Sequence, residues 1–229
     1  MILKHYWKPI REVEKHVERA CGQAQHVLDI GASPAHTFGP ATTTVGWAGD
    51  VKRDLERSAL ELAASFVYCR HTIEDLANPE HLLSEIATLG CDGYIETPSP
   101  LAELTRGVDA SVAPHRGYMH HRWLIWSHDG VLYLLPKYPV VELVPEFDCT
   151  AELNQGPQCW NTHHLWQGRL KYKVLRNERD FELSARRTAW YGETPIEYIN
   201  LINQAQEQYR VSNAAFWKSL SLTPATAAA

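Results

Sequence analysis

The stretch Pro114–Trp123, PHRGYMHHRW, gathers His115, Arg116, His120, His121 and Arg122 into a short run. A histidine titrates near neutrality, so it can take a proton from a reacting group or ligate a metal through its neutral ring. If the chain is extended from Tyr118 onward, His120 and Arg122 share one face and His121 takes the other. His120 and His121 are the first candidates for a general base. His71 comes next, with Glu96 to orient the base. Arg106, Arg116 and Arg122 are candidates to grip an anionic group through paired N–H donors. His115, His120 and His121, with Glu96, also make a chemically competent metal donor set. The plainer alternative for a histidine pair beside Trp123 is a hydrogen-bonded structural element. The pair His163–His164, between Trp160 and Trp166, reads as strand packing. Glu74–Asp75 reads equally as catalytic or as a loop cap before Asn78.

A second stretch, VLDIGASPAHTF (Val27–Phe38), reads as a strand emptying into a tight loop. A glycine there lets a ligand approach the backbone, which makes the loop a candidate nucleotide-cofactor site.

These residues need elements to hold them. Ile10, Val13, Val17 and Ala20 form one stripe of a helix over Pro9–Cys21, stopped by Gly22. Strands are expected at His26–Ile30, Thr42–Trp47, Ser65–Cys69 and Asp92–Glu96. A helix opens at Asn78–Pro79 and ends at Gly90, with Leu82, Leu83, Ile86 and Leu89 inward. Ser99–Pro100 opens a short helix ending near Gly107. Strands alternating with helices at this spacing argue for a parallel α/β sheet. Farther on, hairpins are expected around Asp129–Gly130 and around Gln167–Gly168. Thr194–Pro195–Ile196–Glu197 is a capping box for a helix to about Tyr209, with another possible over Val211–Leu220. Residues 223–229 read as a disordered tail.

Composition narrows the class. The 229 residues are 45% hydrophobic and 21% charged, enough for a real core. A net charge of −5 argues against nucleic acid as the main partner. No run is long enough to span a bilayer, and no secretory pattern stands at the N-terminus, so a cytoplasmic protein without membrane partners is expected. Five scattered cysteines without CxxC spacing read as free thiols. The tryptophan stripe (Trp123, Trp126, Trp160, Trp166) reads as core, or in the minority reading as an aromatic substrate wall.

The segments VLDIGASP, FVYCRHTIEDLANPEHLLSEI, GYIETPSPLAEL and HRGYMHHRWLIW, in that order, resemble a branch of the class I S-adenosylmethionine-dependent methyltransferases. The resemblance covers roughly residues 27–139 and rests on the HxxE[HD] and GYIETPSP motifs. It implies a Rossmann-like sheet over residues 1–117, with a hairpin-rich extension over 118–222 packed on it. It implies that Gly31, Ala32 and Ser33 line the amino-acid end of S-adenosylmethionine while Asp29 orients the loop. Asp54 and Leu55 would lie at the adenine, and Cys69, Arg70 and His71 would pass beneath the cofactor. In that family the second strand ends in an acid that binds the ribose hydroxyls, through charge-assisted bonds worth about 1.5–3 kcal/mol. Here Gly46 or Trp47 occupies that place, and Asp50, which comes late, is the substitute. The activity implied is methyl transfer to a small or medium-sized substrate with a histidine base. The alternatives are an inactive methyltransferase-like binding or scaffolding protein, and metal-assisted chemistry at His115, His120 and His121. Exposed hairpins would allow a homodimer.

Overall fold

Val27, Leu28 and Ile30 are buried to within a few per cent, and this apolar run becomes the first strand of the central sheet. The computed structural model describes residues 9–33, 36–46, 64–109, 114–175 and 196–222. Asp50, Asp54, Leu55, Trp47 and the 223–229 tail lie outside the described residues. In chain order the elements begin with α1 (Arg11–Cys21), β1 (Val27–Ala32), β2 (Thr43–Gly46) and β3 (Phe66–Arg70). A 3₁₀ turn (Ile73–Asp75), α2 (Pro79–Leu89), β4 (Asp92–Pro98) and α3 (Pro100–Leu104) follow. Then come β5 (Trp123–His128), β6 (Val131–Pro136), α4 (Thr150–Leu153), β7 (Asn161–Trp166), β8 (Tyr172–Val174) and α5 (Ile196–Leu222).

The described strands form two sheets. The central one runs β2-β1-β3-β4-β7. Its first four strands are parallel and β7 is antiparallel to β4. The architecture is therefore mixed α/β around a mostly parallel sheet. Strand order reverses between β1 and β3, which places a topological switch point at their carboxyl ends.

One face of this sheet carries Phe66, Tyr68 and Tyr94 against Val13 and Val17 of α1. The other carries Val67, Cys69 and Ile95 against Leu82, Leu83 and Ile86 of α2 and against Ile125, Leu132 and Leu134 of the second sheet. That second sheet runs β5-β6-β8. The β5–β6 hairpin turns at Asp129 and Gly130, both with positive φ (49° and 71°), as a type I′ turn requires.

Two sequence expectations are corrected. Gln167–Gly168 does not turn a hairpin: β7 pairs with β4 while β8 pairs in parallel with β6, in the other sheet. The segments expected to be two helices are one, the 27-residue α5. It spans about 40 Å at 1.5 Å per residue. Tyr198, Ile202, Ala205 and Tyr209 of its first part join the core around α3 and β5, and Phe216 and Trp217 reach the α1 face. The region beyond residue 117 thus supplies both an edge strand of the central sheet and a helix that links the core around α3 and β5 to the α1 face.

Candidate functional site at the carboxyl ends of the parallel strands

Register sets the first group of polar side chains. Arg70 on β3 stands opposite Glu96 on β4, and Glu96 stands opposite His163 on β7. Side chains alternate along strands, so these three share one face with Tyr68 and Tyr94. Arg70 Nε lies 2.9 Å from Glu96 Oε1, and Asn161 Nδ2 donates to the same oxygen at 3.0 Å. The Tyr94 hydroxyl donates to Glu96 Oε2 at 2.7 Å and lies 2.7 Å from His163 Nδ1. Burial works against a charged Glu96, but Arg70, His71 and His163 outweigh it and hold its carboxyl far below the usual range. Burial lowers His163 to about 4. Glu96 is therefore a fixed anion and His163 a neutral ring.

His71 follows β3 at the switch point. Its backbone is left-handed (φ 47°), and its N–H donates to the Glu96 carbonyl at 2.9 Å. That bond turns its ring between two carboxylates: Nδ1 lies 3.3 Å from Glu74 Oε1, and Nε2 lies 3.5 Å from Glu96 Oε1. Burial opposes an imidazolium there, but Glu74 and Glu96 outweigh it and raise the pKa of His71. The side chain keeps 24% exposure, against 3% for Glu96. His71 has the most exposed side chain of this group, although its Nε2 is enclosed. Two carboxyl groups beside one ring favour its protonated form.

The loop after β1 holds itself together. Asp29 is buried and accepts from the Phe38 N–H at 2.8 Å. Ser33 and His36 exchange backbone hydrogen bonds at 2.9 and 3.0 Å. Gly31 sits at a register shift between β1 and β2 with φ 89°. A Cβ on Gly31 would collide with Oγ1 of Thr72. The glycine is required by that side chain of the chain itself. Asp29 thus ties the loop to Phe38, and the Ser33 N–H is spent inside it. Ala32 is buried beside them, and Cys69 is buried in the core on the α2 face.

A second group forms where the segment before β5 crosses the 3₁₀ turn. Arg122 N–H donates to the Glu74 carbonyl at 2.8 Å, which brings His120 and His121 beside Asp75. His121 Nδ1 lies 2.6 Å from Glu103 Oε1, and Lys137 Nζ lies 2.6 Å from Glu103 Oε2. Burial opposes the charge on Glu103, but Lys137 and His121 bring its pKa down to about 2. Gly117 packs on Glu103 so closely that any Cβ would strike it. His120 Nε2 lies 3.8 Å from Asp75 Oδ1.

No family model and no curated protein matches the sequence.

The structure brings together Arg70, His71 and Glu96, and separately His120 and His121. Among the described residues, the donor group close enough to hold a metal is Asp75, His120 and His121, without His115 or Glu96. His115 is exposed. Arg106 bonds Glu142 Oε2 at 3.0 Å and the Glu142 and Pro114 carbonyls. Arg116 is buried and donates to the carbonyls of Leu104 and Val144. Both guanidinium groups brace the chain here, whereas Arg122 is exposed. Sequence reasoning missed Tyr94, Glu103 and Lys137. The available signal for Glu103 was a carboxylate inside the apolar helix PLAEL.

Proposed function

We propose that the protein is an S-adenosylmethionine-dependent methyltransferase acting on a small or medium-sized substrate at the carboxyl ends of β1, β3 and β4. One observation carries the reading. His71 stands at the switch point of the parallel sheet, with its side chain partly exposed and set between Glu74 and Glu96. Open α/β sheets bind their ligands at such a point.

The cofactor roles come from the resemblance: Gly31, Ala32 and Ser33, at the register shift that ends β1, would hold the amino-acid end. When bound, the cofactor supplies an electrophilic methyl group on a sulfonium. In its neutral form His71 would take the proton that the acceptor loses, and the neighbouring Glu74 and Glu96 carboxyl groups would stabilise the imidazolium formed. Glu96 in turn is held by Arg70, Asn161 and Tyr94, so the base is oriented from behind.

A second reading is favoured by the loop's own bonding. Thr72 fills the space beside Gly31, and the Ser33 N–H already donates to His36. Both suit a methyltransferase-like fold that binds or scaffolds without transfer. Isothermal titration with S-adenosylmethionine and S-adenosylhomocysteine separates the two. Saturable binding of both is expected, with affinity retained in His71→Gln and turnover reduced about 10²–10⁴-fold, the usual worth of a general base. A folded protein that takes up neither molecule would sink the transferase reading.

A further inference from the structure

Asp75, His120 and His121 come from two segments far apart in sequence, yet one ligand atom from each lies within 4.8 Å of the others. We propose that these three side chains form a binding site for a divalent transition-metal ion of the zinc class, with at least one coordination position left open.

The donor chemistry selects the ion. Two imidazoles and one carboxylate suit zinc, iron(II) or manganese(II), whereas magnesium and calcium prefer sites made of oxygen alone. Zinc bonds of ~2.0–2.2 Å put ligand atoms roughly 3.3 Å apart in a tetrahedral centre. The His120–Asp75 separation of 3.8 Å is near that value. The closure that remains falls to His120, whose side chain is 60% exposed and has room to move.

Two of the three donors are already positioned by hydrogen bonds of the fold. Asp75 lies in the 3₁₀ turn that the Arg122–Glu74 backbone bond ties to the histidine segment. His121 has its Nδ1 engaged by Glu103, which leaves Nε2 as its metal-binding nitrogen. A carboxylate behind a histidine is the usual outer-shell partner of a metal ligand, fixing its tautomer and ring direction. Glu103 is in turn fixed by Lys137, whose Nζ also donates to the carbonyls of Arg116 and Tyr118. A buried Glu–Lys pair with the nearly buried His121 on its other oxygen fixes the direction of that ring. It is what a site needs when ring orientation matters. Three protein donors also match centres that keep a position for water or substrate, as opposed to closed structural sites with four.

The proposal does not depend on the methyltransferase reading, because the probe is the metal alone. Chelator-stripped, refolded-state-checked full-length protein would be titrated with zinc chloride at pH 7.5, and with cobalt(II) to read the ligand field by visible absorption. About one equivalent of zinc should bind, and magnesium should not compete. His120→Ala, a surface change, should weaken zinc binding at least ~10-fold and alter the cobalt spectrum. Glu103→Gln, which keeps all three ligands, should weaken it ~10–100-fold, the usual cost of losing an outer-shell partner. His115→Ala should leave both unchanged. Failure of the folded wild-type protein to bind zinc or cobalt would overturn the site. So would stoichiometric binding that His120→Ala and His121→Gln leave intact.

Discussion

Gly31 shows how much one residue's environment can change its meaning. The sequence assigns its missing side chain to a ligand's approach, but the structure gives that space to Thr72. Two costs should therefore separate in a double-mutant cycle. Gly31→Ala brings a collision with Thr72 and a φ of 89° that L-residues rarely adopt. The collision should add to backbone strain of about 1–3 kcal/mol. Thr72→Ala removes Oγ1, together with its 3.0 Å bond to the Arg70 carbonyl. Gly31→Ala should thus destabilise less in the Thr72→Ala background than in wild type, by an interaction energy of about 1 kcal/mol or more. Urea denaturation of the four proteins measures it. Strict additivity would mean that Thr72 is not what the glycine accommodates. At the same scale, the candidate site was legible only in pieces. His71 and Glu96 stand in distinctive polar–apolar contexts, and His120 and His121 draw attention by themselves. Asp75 joins them through a backbone bond between Arg122 and Glu74, and no pattern local to either segment announces such a bond.

Strands β1, β3 and β4 could be read from the sequence because each is a short, largely apolar run buried on both faces, as β3 shows over its whole length. The β5–β6 hairpin could be read because Asp129–Gly130 supplies both left-handed residues locally. The partner of β7 could not, because it is chosen by burial far away in sequence. Gly93 lies directly opposite Trp166 in the β4–β7 ladder, and the indole covers the space where a Cβ would stand. The Trp166 Nε1 donates to the Cys91 carbonyl at 2.9 Å, and the Gly168 N–H donates to Asp92 at 2.7 Å. These contacts take the chain past Gly168 away from a hairpin and toward β8. Gly93→Ala should therefore push the indole off the strand and also press on the Val67 carbonyl of β3. A loss of about 1–3 kcal/mol is expected, the typical cost of overpacking. Near-ultraviolet circular dichroism should report a changed tryptophan environment. A variant with wild-type stability and spectrum would mean that Trp166 does not fix the register of β7.

Across the whole molecule, β7 carries a further consequence, because it buries two histidines back to back. His163 faces Tyr94 and the α5 residue Phe216. His164 faces the second sheet, with Nδ1 2.8 Å from the Ser127 hydroxyl. Burial lowers both to about 4, whereas an unfolded histidine titrates near ~6.5. Between those values the unfolded chain takes up two protons that the folded protein refuses. The stability contributed by these two histidines is therefore full above about pH 6.5 and declines as the pH falls toward about 4. At pH 5 each histidine should contribute a loss of about 2 kcal/mol relative to pH 7.5. Glu96 and Glu103, both held below the usual carboxylate range, extend the decline below about pH 4.5, where the unfolded carboxyls protonate. The raised His71 and His121 act in the opposite sense, since their contribution is lost as the pH rises through their folded values. His164 isolates the first effect, because desolvation is the sole cause of its shift. His164→Asn keeps an acceptor near Ser127 and takes up no proton. Its urea midpoint should fall less steeply than wild type between pH 7.5 and 5, by the equivalent of about 2 kcal/mol. Parallel pH profiles for the two proteins would show that His164 is not held neutral by its burial between the sheets.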